Sequence, residues 1–298
     1  MIRRGDGEGV RPMAGSGAVE ARSAPVAEPA GVARLFLRQS GAAGSPLVLL
    51  HGLASSSRYW LPAAPALGRR HRLYIPDLLG FGRSPKPFAA GYTPAEHVSA
   101  LEASLRVAAV AGPLALLGHS AGSLIALQYA SARPEGVRGL VLMALPVIGC
   151  LPWGHRADGS AGRLHRFVAH TDRGARVATL AIRLAGPLGR RLAPRVQRDV
   201  PPDAARDALA VTAASYWRTL ENVVYGMEAA ALLDRIGAPT LLIHGEHDRT
   251  APLEPVAALA ATRPHLRLCV VPGAGHNPLI SHERLVVEAI ERFLDETA

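Results

Sequence analysis

The 298-residue sequence predicts an α/β fold: a mostly parallel, doubly wound sheet with a helical segment inserted into it. Three observations predict it. Short apolar runs, of the kind found in strands covered on both faces, alternate with segments of helical spacing. The clusters His51-Gly52, Asp77, Ser120, Asp248 and His276 each follow such a run, so they fall at the carboxyl ends of strands. Open parallel sheets keep their functional crevice there. Between residues 146 and 231 the strand signal stops, and helical spacing interrupted by proline and glycine takes its place.

Residues 1–31 are rich in Gly, Ala, Pro, Ser and charge without periodicity, and are expected to be disordered or loosely attached. Residues 32–38 alternate as a strand, 40–46 form a turn, and 47–50 make a strand buried on both faces. Gly52, just past that strand, permits a bend with N–H groups facing a cleft. A helix is expected over 59–67, against the resistance of Pro62 and Pro65. Residues 72–75 are a strand running into Asp77 and a turn punctuated by Gly80 and Gly82. Thr93-Pro94-Ala95-Glu96 has the form of a capping box with proline at the first helical position, and starts a helix reaching about residue 110. A strand, a tight turn and a helix follow over 114–130, then a strand at 137–144. Beyond the insertion, 239–245 and 266–271 are strands leading to Asp248 and His276, and 281–296 is a closing amphipathic helix. The expected division is a core of 32–145 and 232–298 and a helical cap of 146–231.

Composition narrows the function classes. The net charge of +9 comes almost wholly from arginine, with Lys86 the only lysine, beside abundant alanine and glycine. That pattern is a habit of composition. Aromatic residues make up 5%, without the basic–aromatic interleaving of a nucleic-acid platform, so nucleic acid is not an expected partner. Residues 107–132 carry no Asp, Glu, Lys or Arg, but Gly112, Pro113 and the Gly118 to Gly122 turn cut the run into pieces, and no membrane span is expected. No apolar segment follows the basic start, so no secretory signal is expected. Cys150 and Cys269, read as buried thiols, have neither framework nor metal spacing, and the twelve histidines show no paired-ligand pattern. A cytoplasmic protein without metal or cofactor is the expectation.

Gly118-His119-Ser120-Ala121-Gly122 reads G-x-S-x-G between a strand and a helix, the context of a nucleophile elbow. Such a turn strains the serine backbone and lifts its hydroxyl above the sheet, while the glycines let strand and helix approach closely. The helix start favours negative charge developing nearby. A serine hydroxyl needs an adjacent base, and the base a third group that holds its tautomer. Histidine titrates in the right range for that base. Ser120, Asp248 and His276 follow the chain order serine, acid, histidine. His119 is a competing base, expected to point away at a sharp turn. Glu246 is a competing acid; Asp248 is preferred because it lies beyond the strand end. His247 and His282 read as surface or supporting histidines. Backbone donors to an oxyanion are expected at Ala121 and, in the loop after Gly52, at Leu53.

On His51-Gly52-Leu53, Asp77 with Gly80, Gly82 and Ser84, Gly118 to Gly122, Gly245 to Asp248, and Gly275-His276, the sequence resembles the α/β-hydrolase superfamily. The resemblance is to a serine hydrolase with a helical cap and runs over about 32–297. It implies a Ser120–His276–Asp248 triad, an oxyanion hole at Leu53 and Ala121, and a structural turn at Asp77. Ser120 separates the chain from relatives with an aspartate nucleophile. The expected activity is hydrolysis of a carboxylic ester, thioester or lactone through an acyl-enzyme. Alternatives are acyl transfer, elimination or carbon–carbon bond hydrolysis on the same residues, and a non-catalytic binding protein. The expected partner is a small-molecule acyl substrate. Trp153, Tyr216 and Trp217 are candidate substrate contacts, with Phe167, Leu180 and Tyr225 as further apolar cap positions. The dense cap arginines are candidates to hold a substrate carboxylate, an acyl carrier or a CoA thioester. A solvated helix face is the simpler reading, given the arginine bias of the whole chain.

Overall fold

The computed structural model describes residues 32–41, 43–147, 172–184, 186 and 200–297. The predicted tail, Cys150 and the cap positions Trp153 and Phe167 lie outside the described residues. Seven strands form one sheet: β1 (Leu37–Ser40), β2 (Pro46–Leu50), β3 (Arg72–Pro76), β4 (Leu114–His119), β5 (Val137–Met143), β6 (Thr240–Gly245) and β7 (Leu266–Val271). Their order is β1-β3-β2-β4-β5-β6-β7, with β1 antiparallel to β3 and every other pair parallel.

The helices are α1 (Ala64–Leu67), α2 (Pro94–Val107), α3 (Ala121–Ala132), α4 (Asp172–Leu184), α5 (Pro202–Asp207), α6 (Ala213–Thr219), α7 (Ala229–Leu233), α8 (Leu253–Ala261), α9 (Pro278–Ser281) and α10 (Glu283–Glu296). A π-helical stretch, Leu220–Tyr225, continues α6. Helices cover both faces of the sheet, which is why β4 is apolar without visible alternation. Its Leu114 and Leu116 face one core with Leu124 and Leu127 of α3, while Ala115 and Leu117 face the other with Ile290 and Phe293 of α10.

Most boundaries follow the sequence reading. Thr93 caps α2: its Oγ1 accepts from the Glu96 N–H at 3.2 Å, and Glu96 Oε2 accepts from the Thr93 N–H at 2.8 Å. Four expectations need correction. The helix expected over 59–67 is split into a 3₁₀ turn, Ser57–Trp60, and α1, because Pro62 and Pro65 lack the N–H that a continuous helix would use. The first strand begins at Leu37, where pairing with β3 starts, although the alternation begins at residue 32. The closing helix is broken at His282, whose backbone (φ −137°, ψ 47°) separates α9 from α10. Cys269, on the edge strand β7, is half-buried rather than buried. No helix among the described residues is long and apolar enough to cross a membrane.

Candidate active site

Ser120 joins β4 to α3 with φ +53° and ψ −121°, a region that costs a non-glycine residue free energy and so needs support from its surroundings. That support is visible. The Ser120 N–H donates to the Met143 carbonyl at 2.9 Å, and Ser123 Oγ bonds the Gly118 and Met143 carbonyls, each at 2.9 Å. A Cβ on Gly118 would lie 2.5 Å from the Gly122 carbonyl oxygen and from Ser123 Cα. One on Gly122 would lie 2.5 Å from the His51 carbonyl oxygen and strike that of Leu50. The two glycines therefore let β2, β4 and α3 meet at the turn.

The structure brings Ser120, His276 and Asp248 together. His276 Nε2 lies 3.0 Å from Ser120 Oγ, and its Nδ1 lies 2.8 Å from Asp248 Oδ2. The other oxygen, Oδ1, accepts the Thr250 and Ala251 N–H groups, both at 2.9 Å. Burial pushes the Asp248 carboxyl up, but the His276 hydrogen bond and charge and the two amide donors outweigh it, leaving the pKa below its usual value. A carboxylate there makes Nδ1 the donor and leaves Nε2 free to accept the Ser120 hydroxyl proton. The loops carrying acid and histidine are pressed together: a Cβ on Gly245 would lie 2.6 Å from the Ala274 carbonyl oxygen and overlap that of Gly275.

The competing residues do other things. His119 turns beneath the site, where its Nε2 is 2.9 Å from the His276 carbonyl oxygen and its ring stacks on Tyr59 at 4.4 Å. Burial, followed by the neighbouring His276, holds the His119 imidazole down to about 3, so it is a neutral donor and not a base. Glu246 faces outward and accepts the Gly273 N–H at 2.8 Å. His247 is exposed and His282 half-buried, with His282 Nδ1 2.8 Å from Ser281 Oγ.

Two supporting histidines went unassigned in the sequence. His51 Nε2 accepts the Leu78 N–H at 2.9 Å, so its Nδ1–H donates to the Gly52 carbonyl at 2.8 Å. His244 Nε2 donates to the Ala251 carbonyl at 2.7 Å and lies 3.5 Å from Asp248 Oδ2. Its place four residues before Asp248, at the end of β6, was the available signal. Burial lowers the pKa of both.

A cavity of about 400 Å³ opens above Ser120 and His276. Leu53, Ala54, Ser55 and Tyr59 form one wall, and Val200, Ala204, Tyr216, Leu220 and Val224, from the chain between β5 and β6, form the roof. Ala54 adopts φ +52°, which turns the loop around Leu53. Ala121 opens α3, whose first N–H groups have no intrahelical acceptor.

Tyr216 lines the cavity; Trp217 is not among the lining residues and packs edge-on against Tyr216 at 5.0 Å. Leu180 and Tyr225 are exposed to solvent, not turned into the cavity. Among the described residues no Asp, Glu, Lys or Arg lines it. Of the cap arginines, Arg173 and Arg176 are exposed, and Arg176 sits over the Phe88 ring at 4.7 Å.

Burial also holds His97, which lies 3.3 Å from Thr219 Oγ1, down to about 3. Unfolded, His97 and His119 would each titrate near 6.5. Below that value the unfolded chain binds protons that the folded chain refuses. Stability is therefore complete above pH 6.5 and falls continuously towards pH 3. The expected loss at pH 5 is about 2 kcal/mol for each histidine. Urea midpoints measured between pH 7.5 and 5 check this, and His97→Gln should flatten the slope.

The sequence matches the alpha/beta hydrolase fold family over residues 45–283. This chain belongs to that family. The hydrolase is 31% identical over 268 residues to a pimeloyl-[acyl-carrier protein] methyl ester esterase of Edwardsiella ictaluri, across 88% of this chain and 97% of the relative. Among solved structures, it is similar to a thermophilic esterase from Thermogutta terrifontis, with a TM-score of 0.65 and 25% identity over 88% of this chain and 93% of the other. The enol-lactonase from Burkholderia xenovorans LB400 shares the fold, with a TM-score of 0.68 at 19% identity over 88% and 97% of the two chains.

Proposed function

We propose that this hydrolase cleaves a carboxylic ester, thioester or lactone through an acyl-enzyme on Ser120. The observation that carries this reading is the continuous hydrogen-bonded line from Ser120 Oγ through His276 to Asp248, opening on the cavity. His276 Nε2 takes the hydroxyl proton as Oγ attacks the carbonyl carbon, and Asp248 stabilises the resulting imidazolium. The oxyanion is received by the N–H groups of Leu53 and Ala121, each worth about 10²–10³ in rate. His276 then protonates the departing alkoxide or thiolate. It next deprotonates the water that attacks the acyl carbon and returns the proton to Ser120 as the acid leaves.

Residues 146–231 act as the cap over the acyl group, with Tyr216 in contact with it. The relative named a pimeloyl-[acyl-carrier protein] methyl ester esterase supports an ester as the bond cleaved and admits an acyl carrier among the substrates. The test is a panel of p-nitrophenyl esters, acyl thioesters and lactones, with a fluorophosphonate label. Ser120→Ala is expected to lower kcat at least about 10³-fold and abolish labelling. Activity within tenfold of the parent would overturn the reading.

A further inference from the structure

The loop from Gly52 to Ser57 carries the Leu53 N–H, and nearly all its anchors belong to the sheet side of the molecule. His51 bonds the Gly52 carbonyl at its start. At its far end the Ser57 N–H donates to Asp77 Oδ1 at 2.6 Å, and Ser57 Oγ accepts from Arg38 Nε at 2.8 Å. One anchor comes from elsewhere. Asp207, at the end of α5, accepts the hydroxyl of buried Ser56 at 2.7 Å through Oδ2. Its Oδ1 is 3.0 Å from Arg58 Nη1, which also lies 3.2 Å from Oδ2. Ser56 Oγ in turn accepts the Arg58 N–H at 3.3 Å, so one carboxylate gathers the side chains of Ser56 in the loop and Arg58 just beyond it. Ala204, three residues before Asp207 in the same helix, is part of the cavity roof.

We infer that Asp207 is a positioning residue that ties the loop bearing the Leu53 N–H to the roof over Ser120. The loop is then held most firmly for oxyanion binding while α5 is seated, and a substrate that lifts α5 loses part of its rate. A charged acceptor makes the Ser56 bond stronger than a neutral one would. Its partner is fully desolvated, unlike that of an ordinary surface pair. This role rests on the hydrolase reading above, so one arm of the test does not need turnover.

Asp207→Ala, Asp207→Asn and Ser56→Ala are compared with the parent. The measurements are kcat per active site, titrated with a fluorophosphonate, KM for p-nitrophenyl butyrate, and amide hydrogen exchange over the loop. Asp207→Ala is expected to lower kcat about tenfold with a smaller change in KM, and to speed loop exchange at least tenfold. Ser56→Ala should behave alike, and the double variant should be little worse than either single one. Asp207→Asn keeps an oxygen acceptor for Ser56 and should retain at least about a third of the parent kcat. A merely structural role would reduce the titrated fraction and leave kcat per site unchanged, and that result overturns the inference. Unchanged loop exchange in Asp207→Ala overturns it whether or not an ester is turned over.

Discussion

Asp248→Asn is expected to lower kcat by about 10⁴-fold while leaving the fold intact. The geometry dictates the direction. Asp248 Oδ1 is held by two backbone donors, Thr250 and Ala251, and Oδ2 faces His276 Nδ1. An asparagine has one oxygen, and the two amides claim it. Its NH₂ then points at His276, so Nδ1 must become the acceptor and Nε2 must carry the proton. An N–H facing Ser120 Oγ at 3.0 Å cannot take a proton from it. Steady-state kinetics at pH 8, beside a melting curve close to the parent's, check the outcome. A loss under tenfold would remove Asp248 from the machinery.

Gly122→Ala should be a strongly damaging single-methyl change in the core. Its new Cβ meets the carbonyls of Leu50 and His51, and both obstacles are backbone that no rotamer change can clear. The end of β2 has to move away from α3, in an interior packed too densely to absorb the shift. Overpacking of this kind costs about 1–3 kcal/mol, a drop in melting temperature of roughly 2–5 °C for a chain of this size. The displaced strand leads directly into Leu53, so activity should fall further than stability alone explains. Gly237→Ala is the control, because nothing lies within 4 Å of its added carbon. Equal melting temperatures for the two variants would contradict the close approach.

The parts of the site that read clearly in the sequence are those governed by local rules. A glycine-flanked serine between a buried strand and a helix forces one geometry, and Asp248 and His276 are marked by their places after strands. The supports are of another kind. His119 holds a carbonyl 157 residues away and Asp207 a hydroxyl 151 residues away, and no local pattern announces either partner. Tyr216 and Trp217 were indistinguishable for a related reason. They are neighbours on α6, about 100° apart around the helix, so they cannot share one orientation. Only packing against the core decides which enters the cavity. The split of the expected 59–67 helix was latent in Pro62 and Pro65. The late start of β1 was not, because an edge strand begins only where its partner offers pairing, here Leu37 opposite Pro76 at the end of β3.

The cavity roof comes from the chain between β5 and β6, which contributes none of the three side chains that meet at Ser120. Substituting its cavity-facing residues, such as Val200, Ala204, Leu220 and Val224, would change what the cavity admits without replacing any residue at the ends of β4, β6 and β7. Selection for new substrates therefore has cavity-facing positions to vary apart from the three meeting side chains, constrained by the core packing of Val211, Ala214, Val223 and Leu233 and by the carboxylate that fastens α5 to Ser56.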